Sequence, residues 1–168
     1  KSMLRNPMAT SALDELTNGA FRAIIPEQLE HDPDEVRKLI LCTGKVYYDL
    51  HTARLEKQLV DTAIIRIEQL YPFPRSLLVS VLAEYPALKS VVWCQEEPMN
   101  QGAWYQIRHH LEACTGEHHS LEYIGREASA APATGSYSLH MAQLHEFIEQ
   151  ALKPANPANQ DNQYRKEA

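Results

Sequence analysis

Four short apolar runs of one kind recur along this chain, each followed by helical periodicity. That alternation constrains the fold more than any other feature. KLILCT (38–43), TAIIRI (62–67), SVVWCQ (90–95) and SLEYIG (120–125) are rich in aliphatic and β-branched residues, as strands of a buried sheet are. After the first come Val46, Leu50 and Ala53, and after the second Leu77, Leu78, Val81, Leu82 and Tyr85. Trp104, Ile107, Leu111 and Cys114 follow the third, and Leu144, Phe147, Ile148, Ala151 and Leu152 the fourth. Steps of three and four place each set on one helical face. The runs begin at 38, 62, 90 and 120, so 24, 28 and 30 residues apart, near the roughly 30 of a strand–helix–strand unit. The pattern predicts an α/β fold, a three-layer sandwich with a mainly parallel sheet and helices on both faces. The first three runs are apolar nearly throughout, as central parallel strands are. The fourth is interrupted by Glu122 and belongs nearer an edge. AFRAII (20–25) is a further candidate strand, and EHDPDE (30–35) a charged connection.

Composition removes several classes of function. A formal charge of −6 argues against nucleic acid, which needs a basic face. No stretch is long and apolar enough to cross a membrane. Cys42, Cys94 and Cys114 are odd in number and lack CxxC spacing, which fits a reducing compartment better than a disulfide framework. The pairs His109–His110 and His118–His119 are adjacent and His140 and His145 are five apart. None has the three- or four-residue spacing of helix-borne metal ligands, so no metal site is expected.

In an open parallel sheet, ligands and partners meet the loops that leave the carboxyl ends of the strands. Here those loops are TGK (43–45), EQLYPFP (68–74), QEEPMNQG (95–102) and GREASAAPATG (125–135), and they should converge on one rim. TGK opens a helix, so backbone N–H groups and Lys45 together could hold an anion. A turn glycine beside a solvated lysine is the plain alternative. Arg66 sits inside an apolar run and needs a carboxylate or another anion. Glu68, Glu96 and Glu97 are the candidates, in a structural ion pair or around an effector anion. Pro72 and Pro74 force Tyr71 and Phe73 into extended backbone, presenting two rings for packing or an interface. Glu96 and Glu97 suggest acid–base work, but neighbours in an extended segment point to opposite sides. Asn100 and Gln101 add amides, Gly102 allows an unusual backbone angle, and Trp104 anchors the next helix. An interface loop without a catalytic residue is the expectation. Cys94 with His109 as base would make a hydrolase, against the lack of any nucleophile-elbow motif.

KSMLRNP, CTGKVYYDL, AIIRIEQLYPFP, VVWCQEEPMNQGAWY and GREASAAPATGSYSLH together resemble the carboxyl-terminal part of one family. It is the thiamine-diphosphate-dependent decarboxylating component of the 2-oxoglutarate dehydrogenase complex. The resemblance runs from Lys1 to about Leu152. It implies a transketolase C-terminal-domain-like fold with an antiparallel edge strand. It also implies a homodimer-building, regulatory domain of an enzyme that decarboxylates 2-oxoglutarate in the tricarboxylic acid cycle. That enzyme succinylates the lipoyl group of the succinyltransferase component. Thiamine diphosphate and Mg2+ would be bound by upstream domains of the same polypeptide. Residues 1–35 would then link from such a domain, residues 36–152 form the α/β domain, and residues 153–168 a flexible polar tail. The chain begins with Lys1, and a longer polypeptide is the expectation. Some relatives carry a pocket for adenine nucleotides or acetyl-CoA here, for which Lys45 and Arg66 are the matching positions. The resemblance implies a bacterial cytoplasmic setting, or a mitochondrial matrix in a eukaryote. The alternative is a stand-alone α/β module that binds a nucleotide or small anion.

Overall fold

The computed structural model describes residues 3–154. After two single-turn helices come α1 (Leu13–Asn18), β1 (Ile24–Ile25), β2 (Lys38–Cys42), α2 (Val46–Lys57) and β3 (Thr62–Ile67). They are followed by α3 (Arg75–Leu82), β4 (Ser90–Pro98), α4 (Trp104–Thr115), β5 (Ser120–Arg126) and α5 (Tyr137–Ala151). The strands form one sheet in the order β1-β3-β2-β4-β5. β1 runs antiparallel to β3, and the other pairings are parallel.

The two faces of the sheet are covered as the alternation predicts. Leu39, Leu41, Ile65, Val91 and Trp93 point to one side and pack with Leu78 of α3 and Ile107 and Leu111 of α4. Ile40, Ile64, Val92 and Ile124 point to the other and pack with Leu50 of α2 and Leu144, Phe147 and Ile148 of α5. Period-two alternation along each strand therefore builds two cores around one sheet. β2 is buried at every position, whereas β5 is exposed at Ser120 and Glu122, in keeping with its place at the edge.

The candidate strand at 20–25 shrinks to Ile24–Ile25. Upstream of it Arg22 pairs with Glu15 at 2.6 Å and Phe21 stays 73% exposed, so the sheet gains only the two isoleucines. What continues the contact is a side chain. Glu27 accepts from the backbone N–H of Ile64 at 2.7 Å and pairs through both oxygens with Arg54 of α2. Arg54 also donates to the carbonyl of Thr62 at 3.0 Å. Glu27 thus takes the place of a strand beside β3, and the guanidinium bolts helix to sheet edge. Both side chains are almost wholly buried. Burial alone would push the Glu27 carboxyl up, but Arg54 and the backbone N–H groups of Leu29 and Ile64 outweigh it and hold it low. At the opposite end, Lys38 is buried and donates to the carbonyl of Lys153 at 2.9 Å, closing the carboxyl end of α5. The expected flexible tail falls mostly on residues 155–168, which lie outside the described residues.

Breaking such a pair leaves an uncompensated buried charge, so Glu27→Gln should cost about 3–5 kcal/mol in urea titrations. The folded-state pKa of Glu27 lies below the ordinary value of 4.5, so its contribution is fully present above that value. It is lost as pH falls through the lower folded value. The stability gap between Glu27→Gln and the parent should therefore narrow in acid and stay constant near neutrality.

Candidate functional site

The strand order turns back at β2: the chain crosses from β2 to β3 on one side, then returns past β2 to β4. The crevice at the carboxyl ends of β2 and β4 is therefore the place where such sheets bind ligands. Gly44, with φ +69°, turns the chain from β2 into α2 there. Opposite stands the loop from Gln95 to Gly102.

That loop is shaped by one buried carboxamide. The register between β4 and β5 passes from Gln95–Gly125 directly to Pro98–Arg126. Glu96 and Glu97 are thus the extra residues of a bulge. Gln95 is buried on the same face as Trp93. Its Oε1 accepts from Trp93 Nε1 at 2.9 Å and from the backbone N–H of Trp104 at 3.0 Å. Its Nε2 donates to the carbonyls of Glu97, Pro98 and Gln101 at 3.2, 3.2 and 2.7 Å. The side chain therefore satisfies the start of α4 and the inner turn of the loop together. Gly102 has φ +64°, and a Cβ there would meet Gln95 Nε2 and Glu97 Cβ at 3.0 Å. Trp104, 3% exposed, packs against Tyr123 with ring centroids 5.3 Å apart.

Gln95 does not stand out among the polar residues of QEEPMNQG. Its parity marks it all the same: two residues beyond Trp93 in an alternating strand, it shares that buried face and needs partners.

The two carboxylates diverge. Glu96 faces the α2–α5 side, with Oε2 3.7 Å from Lys45 Nζ and Oε1 3.7 Å from His140 Nε2. Glu97 lies beside Gly102 on the other side. Lys45 also donates to Asp49 at 2.8 Å. Its partial burial favours loss of the proton, but Asp49 and Glu96 outweigh that and hold the ammonium pKa above its usual value. Lys45 is thus already neutralised by two carboxylates. Arg66 is placed differently. Its guanidinium lies 4.4 Å from the centroid of the Tyr47 ring, a cation–π contact. Nη1 reaches the Tyr48 hydroxyl at 3.4 Å, and Nε stands 3.8 Å from Glu68 Oε1, too far for a hydrogen bond. Arg66 Nε is buried without a hydrogen-bond partner. Of the carboxylates considered from sequence, Glu68 is the one beside Arg66, and Glu96 goes to Lys45.

The remaining rim residues bind loops to one another or face outward. Asn100 exchanges two hydrogen bonds of 2.9 Å with the backbone of Ser129, and Gln101 Nε2 donates to the same carbonyl at 3.0 Å. Arg126 donates to the carbonyls of Glu96 and Pro132 at 2.7 and 3.2 Å. Phe73 stacks on His110 at 4.8 Å, while Tyr71 is 91% exposed. Cys94 packs on the α2–α5 side and α4, which carries His109, on the other. The sheet separates that pair, and burial pushes the Cys94 thiol up to about 12. Among the described residues, no group of three or more His, Cys, Asp or Glu is placed to hold a metal ion, and no helix is long and apolar enough to cross a membrane.

Comparison with known proteins decides what this rim belongs to. Residues 10–152 match the family described as 2-oxoglutarate dehydrogenase C-terminal. This chain belongs to that family. The 2-oxoglutarate dehydrogenase E1 component of Haemophilus influenzae is 51% identical over 152 residues, covering 90% of this chain and 16% of the relative. That of Azotobacter vinelandii is 51% identical over 155 residues, with the same coverages. The chain thus spans about one sixth of the length of these curated relatives. Among solved structures, a chain described as split gene transketolase, inactive beta4 tetramer, superposes with a TM-score of 0.47 at 18% identity. The match covers 69% of this chain and 38% of that one.

For this family member, the shape of the rim should depend on Gln95 and Trp104 far more than on the loop carboxylates. Gln95→Leu strands several buried polar groups at about 1–3 kcal/mol each, and Trp104→Ala removes a buried aromatic worth about 3–5 kcal/mol. Glu97→Gln, at an exposed position, should stay within about 0.5 kcal/mol. Urea midpoints of the three variants check this order.

Proposed function

We propose that this chain is the C-terminal domain of a 2-oxoglutarate dehydrogenase. The full polypeptide would decarboxylate 2-oxoglutarate on thiamine diphosphate with Mg2+ and transfer the succinyl group to the lipoyl group of a succinyltransferase component. The observation that carries this reading is the family match over residues 10–152 together with 51% identity to relatives of that name. The loop carboxylates diverge, Glu96 toward Lys45 and His140 and Glu97 toward Gly102, and this reading gives the rim no catalytic step. Cofactor and Mg2+ would be held by other parts of the polypeptide, with residues 1–35 leading from them into the domain at 36–152. The bacterial sources of these relatives support a cytoplasmic enzyme.

In this reading the rim serves homodimer contact and regulation. Tyr71, exposed on a stiff loop, and the laced segment around Asn100 and Gln101 would face the partner subunit or the upstream domains, with Phe73 and Trp104 bracing them. A second element is an effector site for an anion such as an adenine nucleotide. Arg66 supports it better than Lys45, because its guanidinium has donors to spare whereas two carboxylates already occupy the lysine.

Two measurements test this. The full-length polypeptide should turn over 2-oxoglutarate in a ferricyanide-coupled assay when given thiamine diphosphate and Mg2+; lack of any turnover would refute the assignment. Arg66→Met should weaken AMP binding to that polypeptide about tenfold, the scale of one charge-assisted hydrogen bond. Lys45→Met should change it far less. Equal effects, or none, would remove the effector site from Arg66.

A further inference from the structure

Residues 10–22 are exposed at every position, and α1 within them buries no residue. The helix ends on Asn18–Gly19. Gly19 cannot carry a side chain here, since a Cβ would stand 2.0 Å from the carbonyl oxygen of Glu15. The same lack of a Cβ leaves its backbone nitrogen open to the neighbouring side chain. Gly116 closes α4 with its N–H on the carbonyl of Glu112 at 3.1 Å, whereas Gly19 makes no such bond among the described residues. Asn18 Nδ2 donates to Asp14 Oδ1 at 2.5 Å, an exposed bond one helical turn away, of a kind that supports a helix only weakly. Among the described residues the other asparagines are guarded. Asn6 precedes Pro7, which has no N–H. Asn100 precedes Gln101 and is held by its two bonds to the backbone of Ser129.

We propose that Asn18 is a site of spontaneous covalent modification, converted by its own backbone and water into aspartate and isoaspartate. The deprotonated nitrogen of Gly19 attacks Asn18 Cγ; a C–N bond forms and the Cγ–Nδ2 bond breaks. Nδ2 leaves as ammonia with the proton that the nitrogen gave up. Water then opens the resulting five-membered imide at either carbonyl. The net reaction consumes water and releases ammonia, with no oxidant or cofactor. Attack requires residues 18 and 19 to leave their place at the helix end, and a helix with nothing buried opens at little cost. Either product sets a second carboxylate four residues from Asp14, at the helix end where negative charge is disfavoured. Conversion therefore loosens α1 further and adds a negative charge to the segment that leads into β1. This goes beyond the dehydrogenase reading and does not rest on it, since it uses neither Arg66 nor the crevice at β2 and β4.

The test is tryptic mapping by mass spectrometry of the full-length polypeptide during incubation at mildly alkaline pH. Trypsin cuts after Arg5 and Arg22 and so releases residues 6–22; a synthetic peptide of the same residues is incubated alongside. Asn18 should convert at a rate within about tenfold of that in the free peptide, the factor set by an opening cost of about 1.4 kcal/mol. The rate should rise in proportion to hydroxide, and the aspartyl and isoaspartyl forms should elute separately. Asn18→Gln should abolish the mass gain in residues 6–22, and Asn100 should stay intact over the same time. Conversion more than about tenfold slower than in the free peptide would overturn the proposal, because the fold would then guard Asn18. So would a mass gain that persists in Asn18→Gln, or equal conversion at Asn100, which would show that neither Gly19 nor the open helix directs it.

Discussion

The carboxyl rim depends on the carboxamide of Gln95. A bulge places two consecutive carboxylates on an otherwise continuous strand, and such an insertion leaves backbone groups without ladder partners. Gln95 supplies them from inside: one oxygen for the Trp93 indole and the first N–H of α4, one nitrogen for three carbonyls of the loop. A buried polar group with every bond made specifies a single arrangement, whereas one left partly unmade is costly. The direction of α4, the path of residues 95–102 and the position of Glu96 over Lys45 all follow from that one side chain.

A comparable device sits where β1 meets β3, at one edge of the sheet. Glu27 completes the edge of β3 where β1 stops, and Arg54 ties it to α2. β1 in turn pairs with β3 at Arg66 and Ile67. The segment entering the domain is thus fastened directly beside the guanidinium that stands out at the rim. Polar groups thus work beside the apolar packing of Ile24 and Trp104 in fixing the margins of this sheet.

The sequence made the central architecture legible because parallel strands buried on both faces cannot avoid long apolar runs, and helices over them cannot avoid a 3.6-residue period. It also made visible that Glu96 and Glu97 diverge and that Arg66 is unusual, since both follow from local geometry. The long-range polar links were hidden. Glu27 lies in an irregular stretch, 27 residues from Arg54, and nothing local marks it. Arg54 left a trace, four residues beyond Leu50 on the buried face of α2. The bonds from Asn100 and Gln101 to Ser129 join two loops whose conformations no periodicity governs. Gln95 was hidden by its company, one polar residue among several, although its parity with Trp93 placed it inside.

The central proposal is that Gln95 and Trp104 shape this rim and that its loop carboxylates take no part in chemistry. Its most direct test is kcat for 2-oxoglutarate in the full-length polypeptide carrying Glu96→Gln and Glu97→Gln together. The account predicts a value within about twofold of the parent. A fall of about a hundredfold or more, the scale of a lost general acid or base, would contradict it and make this loop part of the catalytic centre.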